Sequence, residues 1–324
     1  METAVGVLFE TLKSAQFGAP MVFDNLTVFP FVAVKDRPPA YLRFAEAAET
    51  GFFQVTEISA HGSVPELAVN NRLGVPVLML DGDELVGAKQ NRVLNVTVLV
   101  PAESKITVPV SCVEQGRWRS ESPAFSDGKE TLFAEARAAK LAQVNRALSE
   151  GRGRRSEQHV VWEAIAAKQE RMRAPSSTGA VDSVYAQHRP ALERFEGAFK
   201  AWPGEVGAVF AIDGRPLGCE LFDASKTYEA YLPRLVRSYA LDAIDVEQPV
   251  SAIPSRQALD SFIGGILGAG TAVYPAVGLG EEVRLQGLGI TGAALVTGGT
   301  IVHFCVFGTQ ARRRRFTRSH GAVH

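Results

Sequence analysis

The feature that most limits the fold is a succession of short β-prone runs early in the chain. Leu26 to Val34, Phe52 to Ser59, Glu66 to Asn70, Val75 to Leu80, Val93 to Val100 and Lys105 to Glu114 are β-branched or alternating segments, separated by clusters of Gly, Pro, Asn and Asp. A parallel neighbour requires a crossover of roughly a dozen residues or more, usually a helix. Runs spaced about ten to fifteen residues apart, with no long helical pattern between most of them, therefore predict antiparallel hairpins in a sandwich or mixed sheet. Within this part only Arg43 to Thr50, closed by Gly51, predicts a helix; before it, Val5, Leu8, Phe9 and Leu12 line one face of a short opening helix.

The middle of the chain changes period. Asp127 and Glu130 have capping-box spacing ahead of a helix running to about Ser149, with Phe133, Leu141, Val144 and Leu148 inward, and Ser156 opens a second helix to Met172. After Asp182, the residues Val184, His188, Leu192, Phe195, Phe199 and Trp202 recur at helical steps, with Pro190 marking a kink or the true start. Between these helices, Ala174 to Ala180 (APSSTGA) has the composition of a flexible linker. Beyond Trp202 a hairpin turns at Asp213-Gly214, helices begin at Ser225 and Ser255, and a last hairpin turns between Val296 and Thr300. The resemblance between the pieces around Asp81-Gly82 and Asp213-Gly214 is better explained by shared turn chemistry than by duplication. The expected organisation is one α+β domain over residues 1–310, with a β-rich part (20–120), a helical part (127–202) packed on the sheet or sandwich core, a β/α part (203–310), and a basic tail (311–324).

Composition excludes several classes. With 324 residues, 46% hydrophobic and 21% charged, the chain can bury a full core and is not expected to be disordered. Its net charge of −1 hides an asymmetry: no carboxylate follows Glu282, whereas Arg284, Arg312, Arg313, Arg314, Arg315 and Arg318 do. The basic runs Gly151 to Arg155 and Ala311 to Phe316 lack interleaved aromatics, so they predict solvated segments or contacts to an acidic partner rather than nucleic-acid binding. Three cysteines without a CxxC pair suit a reducing compartment, and the opening segment is a poor secretory leader, so a cytoplasmic location is expected. The uncharged stretch Ser261 to Gly280 is too rich in Gly and Pro for a membrane span, and no membrane partner is expected. Gly287 to Gly292 satisfies GxGxxG, but a hairpin and no acidic residue follow it, which removes the dinucleotide reading.

The densest polar segment is Asp81 to Asn95 (DGDELVGAKQNRVLN), between two apolar β runs. One reading is a hairpin turn at Asp81-Gly82 followed by an exposed polar loop. The other is a recognition set for a small anionic molecule, in which Lys89 and Arg92 neutralise a phosphate or carboxylate, Gln90, Asn91 and Asn95 provide directional hydrogen bonds, and Glu84 acts as acceptor or base. Asp81, Asp83 and Glu84 could also take Mg²⁺ with waters and ligand phosphates. In the next strand, alternation places Cys112 and Glu114 on one face. Cys112 is either a small buried residue or a nucleophile that needs a nearby cation, and Glu114 is the better acid-base candidate. Arg117 and Trp118 offer a guanidinium and a stacking face, or else Trp118 anchors the core. His303 shares a strand face with Cys305 and is the best general base among the histidines; with Cys112 and Cys219 they lack the spacing of a structural zinc site, so no metal is expected.

The polar segment followed by PVSCVEQGRW, with FAIDGRPLGCELFD, RSYALDAI, YPAVGLG, GAALV and VHFCVF in that order, resembles the ARG and rhodanese-phosphatase superfamily associated protein domain family. The resemblance implies an α+β domain over nearly the whole chain and, through association with ADP-ribosylglycohydrolases, a place in NAD or ADP-ribose metabolism. It names no reaction, cofactor or catalytic residues. Two functions follow as expectations. In the first, an enzyme (a hydrolase or transferase) or a ligand-binding relative acts on an ADP-ribose-like or other phosphorylated nucleoside. In the second, a non-enzymatic interaction module uses its basic tail on an acidic partner, and a homo-oligomer stays open in either case.

Overall fold

The computed structural model describes residues 3–33, 36–59, 65–118 and 122–308. In chain order it begins with α1 (Ala4–Ser14), β1 (Gln16–Phe17), β2 (Met21–Phe23) and β3 (Leu26–Val32). It continues through β4 (Leu42–Arg43), α2 (Phe44–Glu49), β5 (Phe53–Glu57), β6 (Glu66–Asn71), β7 (Val77–Met79), β8 (Asp83–Gly87), β9 (Arg92–Leu94), β10 (Val98–Val100), β11 (Ser104–Cys112) and β12 (Phe125–Thr131). The helical middle holds α3 (Ala134–Ser149), α4 (Gln158–Arg171), α5 (Asp182–Gln187) and α6 (Arg189–Ala198). The last part is β13 (Glu205–Ile212), β14 (Arg215–Phe222), α7 (Ser225–Ile244), α8 (Arg256–Leu267), β15 (Gly270–Pro275), β16 (Glu281–Gly287), β17 (Ile290–Thr297) and β18 (Thr300–Gly308).

The fold is α+β, and its strands pair antiparallel with the exception of β4 on β7. Strands β11, β6, β5, β12, β8 and β9 close into a barrel, β10, β7 and β4 form a small sheet, and a nine-stranded sheet runs β1-β3-β13-β14-β18-β17-β16-β15 with β2 on β3. Closure removes the exposed strand edges that such short β segments would otherwise present. Phe53, Val55, Leu67, Val69, Leu85, Leu94, Val108 and Val110 fill the barrel at period two. The large sheet buries both faces: α1 and α8 cover Phe29, Phe31, Val209, Phe304 and Val306 on one side. On the other, α7 lays Tyr228, Leu232, Leu235 and Tyr239 against Ala208, Phe210 and Phe307. Helix α3 joins the two bodies, with Leu141 in the sheet core and Val144 and Leu148 in the barrel core. Each such side chain contributes about 1.5–3 kcal/mol by leaving water.

Several local expectations are corrected. Asp127 and Glu130 do not cap a helix; they lie on β12, where Arg234 and Arg237 of α7 hold them at 2.8 Å each, and α3 starts at Ala134 with no side-chain cap. Long-range ion pairing outcompetes the local capping box. Ala174 to Ala180 is no linker: Ala174 is buried, and Gly116 N donates to Thr178 O at 2.7 Å. Ser156 does not cap α4; its hydroxyl meets Ser111, and Glu157 is the cap residue. Ser225 opens α7 without capping it, because its hydroxyl is taken by Asp36. Trp202 stands 68% exposed, beyond the end of α6, so the helical stripe stops at Phe199. Pro190 marks a true helix start, in the first turn of α6.

The polar segment is not an exposed loop. Asp81, Asp83, Glu84, Gln90, Asn91, Arg92 and Asn95 are all buried. The Asp81-Gly82 turn links β7 to β8, which belong to different sheets, whereas Asp213-Gly214 closes the β13–β14 hairpin. The two similar pieces thus do different topological work. Gly82 has φ +82°, and a Cβ there would come within 2.9 Å of Arg137 Nε, so glycine is needed for both the turn and the close approach. The basic tail, residues 311–324, lies outside the described residues.

Candidate functional site

The inward rows of the barrel are apolar until one end, where three strands place polar side chains in the same row. Phe53 and Val55 of β5 are followed at period two by Glu57, Val108 and Val110 of β11 by Cys112, and Leu94 of β9 is preceded by Arg92. Register confirms the neighbourhood, since Cys112 pairs directly with Arg92. Arg92 is fully buried, and its Nη1 donates to Gln90 Oε1 at 2.7 Å. Its Nε and Nη2, the edge that forms a side-on fork, meet no oxygen acceptor among the described residues; the Cys112 sulfur is the weak acceptor beside the guanidinium. The nearest Glu57 oxygen is 4.0 Å from Nη2, and among the described residues neither Glu57 oxygen has a donor. Trp162 Nε1 of α4 is likewise buried, and its neighbouring acceptor is the Cys112 sulfur rather than an oxygen. Over this end stands Trp118, 51% exposed, with Arg92 5.8 Å and Lys89 Nζ 5.4 Å from its ring centre. Unmade buried hydrogen bonds cost about 1–3 kcal/mol each, so their concentration in one place is informative.

The ionisable groups here are biased by burial. Burial pulls the Arg92 guanidinium below its usual value, partly offset by Cys112 and Glu57. Burial pushes the Cys112 thiol up, and the nearby Arg92 does not reverse it. A thiol held protonated is a poor nucleophile, and Cys112 Sγ donates to Glu114 O at 3.3 Å.

Around this end runs a second layer that holds the loops together. Arg117 donates through Nε to Glu114 Oε2 at 2.7 Å, through Nη1 to Ala88 O at 2.9 Å and through Nη2 to Asn91 Oδ1 at 2.9 Å. Gln90 Nε2 donates to Glu114 O at 3.0 Å, and Asn91 N to Glu114 Oε2 at 3.2 Å. Asn91 Nδ2 reaches both Glu84 Oε1 (3.3 Å) and Asp182 Oδ2 (3.1 Å). Burial pushes Glu84 well above the ordinary carboxylate range, and the Asp182 charge adds to it.

Asn95 and His303 are elsewhere. Asn95 accepts from Ser111 Oγ at 2.7 Å and donates to Arg154 O at 3.1 Å, tying the residue after β9 to the segment that precedes α4. His303 sits in a network between barrel and sheet. Asp81 N donates to Thr97 Oγ1 (3.1 Å), which leaves the Thr97 hydroxyl to donate to His303 Nδ1 (2.8 Å) and His303 Nε2–H to donate to Glu220 Oε2 (3.1 Å). Arg137 Nη1 meets Glu220 Oε1 at 2.6 Å, and Lys140 Nζ meets Asp81 Oδ2 at 2.6 Å. Burial raises Glu220, but Arg137 and His303 outweigh it and hold the carboxyl below its usual range. Glu220, His303 and Cys305 present atoms within 4.8 Å of one another, the one such metal-type group among the described residues. Arg137 already neutralises Glu220, Lys140 stands nearby, and burial pushes the Cys305 thiol up, so the electrostatics disfavour a cation there. A cavity of about 10 Å³ beside Asp81, Thr97 and His303 has room for a single water.

The structure therefore brings together Glu84, Lys89, Gln90, Asn91, Arg92, Cys112, Glu114, Arg117 and Trp118, and separates Asn95 and His303 from them. Sequence reasoning missed Glu57, Trp162 and Asp182. Glu57 had a signal, since it continues the Phe53 and Val55 alternation. It also missed Glu220, a charge inside the apolar run LGCELF, and Arg137 and Lys140, which share a helix face with Leu141 and Val144. Asp182 and Trp162 carried no sequence signal.

No described helix is long and apolar enough to cross a membrane. Residues 14–307 match the family described as the ARG and Rhodanese-Phosphatase-superfamily-associated Protein domain. No curated protein and no solved structure matches the chain.

Proposed function

The chain belongs to that family, and on this premise we propose that it binds a phosphorylated nucleoside of the ADP-ribose kind at the polar end of the barrel. The observation that carries the reading is the buried fork of Arg92, which meets no oxygen acceptor among the described residues, facing two Glu57 oxygens without a donor there, beneath a half-exposed Trp118. A purely anionic ligand would meet Glu57 unfavourably. A ribose fits better, because its hydroxyls donate to Glu57 and accept from Arg92 Nε and Nη2. The Trp118 face suits a nucleobase, and Lys89 on the rim suits a phosphate. The family's association with ADP-ribosylglycohydrolases points to the same class of compound.

The groups chosen on chemical grounds divide in this reading. Arg92, Gln90, Lys89 and Trp118 face or border the ligand, whereas Arg117, Asn91 and Glu114 shape the wall. Cys112, with its thiol pushed up, is wall as well. Ligand recognition, rather than a covalent mechanism, is the function these contacts support.

Thermal shift and calorimetry with ADP-ribose, NAD, AMP and ribose 5-phosphate test the proposal. A ligand at a hundred times its Kd stabilises the fold by about 2.7 kcal/mol. Arg92→Gln and Glu57→Gln are expected to abolish the shift, and Glu57→Gln, at a partly exposed position, to leave the unliganded melting temperature close to wild type. No shift with any of the four, or an undiminished shift in Arg92→Gln, overturns the proposal.

A further inference from the structure

Glu84 points away from the barrel interior and is 1% exposed. Asn91 Nδ2 holds its Oε1 and Asp182 Oδ2 together, at 3.3 and 3.1 Å, so one amide nitrogen clamps two carboxyl groups. Glu84 Oε2 has no donor. Strand β12 closes over this glutamate at Gly128, where a Cβ would come within 3.0 Å of Glu84 Cβ. Two ionised carboxylates held by one amide, with Glu84 out of water, repel, whereas a proton between them supplies the missing hydrogen bond.

We propose that a proton carried by Glu84 bridges it to the Asp182 carboxylate, and that this proton latches α5 and residues 174–181 onto the barrel. The latched segment already follows the strand-end backbone: Val181 N donates to Val113 O at 3.1 Å, and Gly116 N donates to Thr178 O at 2.7 Å. Loss of the proton also reaches the loop that carries Trp118, because Asn91 Oδ1 holds Arg117 Nη2 at 2.9 Å. The other charges facing the pair are committed elsewhere. Glu130 of β12 pairs with Arg237, which also holds Glu196; Arg234 pairs with Asp83 and Asp127; Arg117 pairs with Glu114. Tyr185 of α5 donates to Thr131 O. Arg117, on the other side of the Asn91 amide, is spent on Glu114, Ala88 and Asn91 Oδ1.

Burial, with the Asp182 charge behind it, holds the Glu84 proton above the ordinary glutamate range, so the folded state binds more protons than the unfolded one. The stabilisation is full below the ordinary range and is lost as pH rises toward the elevated value. The proposal does not depend on a ligand at the barrel end.

Hydrogen exchange over residues 174–187 and thermal melts from pH 6 to pH 9 on the full chain, with Glu84→Gln and Asp182→Asn, provide the test. In wild type, exchange corrected for intrinsic rate is expected to rise by about ten-fold for each pH unit between the ordinary glutamate value and the raised one, and the melting temperature to fall. Glu84→Gln should flatten both trends, and Asp182→Asn should reduce them. A wild-type pH slope in Glu84→Gln overturns the latch. If that variant fails to fold, a wild-type slope in Asp182→Asn overturns it equally.

Discussion

Two buried polar clusters lie in this molecule, and they are built in opposite ways. Between barrel and sheet, Asp81, Thr97, Arg137, Lys140, Glu220 and His303 bond mainly to one another. Asp81 Oδ1 and Arg137 Nε lack hydrogen bonds, but they face each other at 3.6 Å and each residue is satisfied through its other atoms. At the barrel end, among the described residues, neither Glu57 oxygen has a donor and two of the Arg92 nitrogens meet no oxygen acceptor. A closed network is framework: it fixes how two bodies join. An open one leaves donors and acceptors that the described residues do not use. His303, attractive as a lone histidine in sequence, belongs to the framework.

The sharpest break in this contrast is Arg137→Met. It leaves Glu220 and part of Asp81 uncompensated in the interior, and should cost about 3–5 kcal/mol in denaturant unfolding. A loss below about 1 kcal/mol would remove the distinction between the clusters. Thr97→Val deletes an acceptor for Asp81 N and a donor to His303, with an expected loss of about 1–3 kcal/mol by the same measurement.

Acid titration sharpens the contrast further. Glu220 is held below its usual range, so its contribution is present above the ordinary glutamate pKa and is lost as pH falls through the depressed value. Glu220→Gln should therefore flatten the acid limb of a melting curve below about pH 4.5. An acid limb as steep as wild type would show that the Glu220 charge does not matter to folding.

At the barrel end the expected stability effects are smaller. Arg92→Gln loses the Nη1 hydrogen bond and the 4.0 Å charge contact with the partly exposed Glu57, so it should cost less in denaturant unfolding than Arg137→Met, while ligand binding is lost. Trp118→Ala, at a half-exposed position, should shift stability by about 0.5 kcal/mol or less and weaken a stacked ligand by roughly 0.5–1.5 kcal/mol in calorimetry. A core-sized loss in Trp118→Ala would make the indole an anchor and weaken the case for a ligand face.

Much of this architecture was legible in residue order. The hairpin at Asp213-Gly214, the Ser255-capped α8 and the final β17–β18 hairpin follow from local turn and cap chemistry, which nearby residues decide. The failures share one cause. Asp127 and Glu130 have capping spacing, and Ala174 to Ala180 has linker composition, but arginines on α7 and the backbone after β11 claim them from far along the chain. At the candidate site, the residues between Glu84 and Trp118 cluster in sequence because hairpin neighbours stay neighbours in space. Glu57, Asp182 and Trp162 join them only through strand pairing and helix packing.

By itself, then, the sequence determined an antiparallel α+β protein, the places of most strands and helices, and a polar segment unlike its apolar surroundings. These rest on periodicity and turn residues, which act over a few positions. The tertiary structure alone decided that six short strands close into a barrel, that the polar segment is buried rather than solvated, and that Arg92 meets Glu57 while His303 meets Glu220. Those outcomes depend on which distant groups satisfy a buried charge, and a desolvated charge takes its partner from whatever the packing brings within reach.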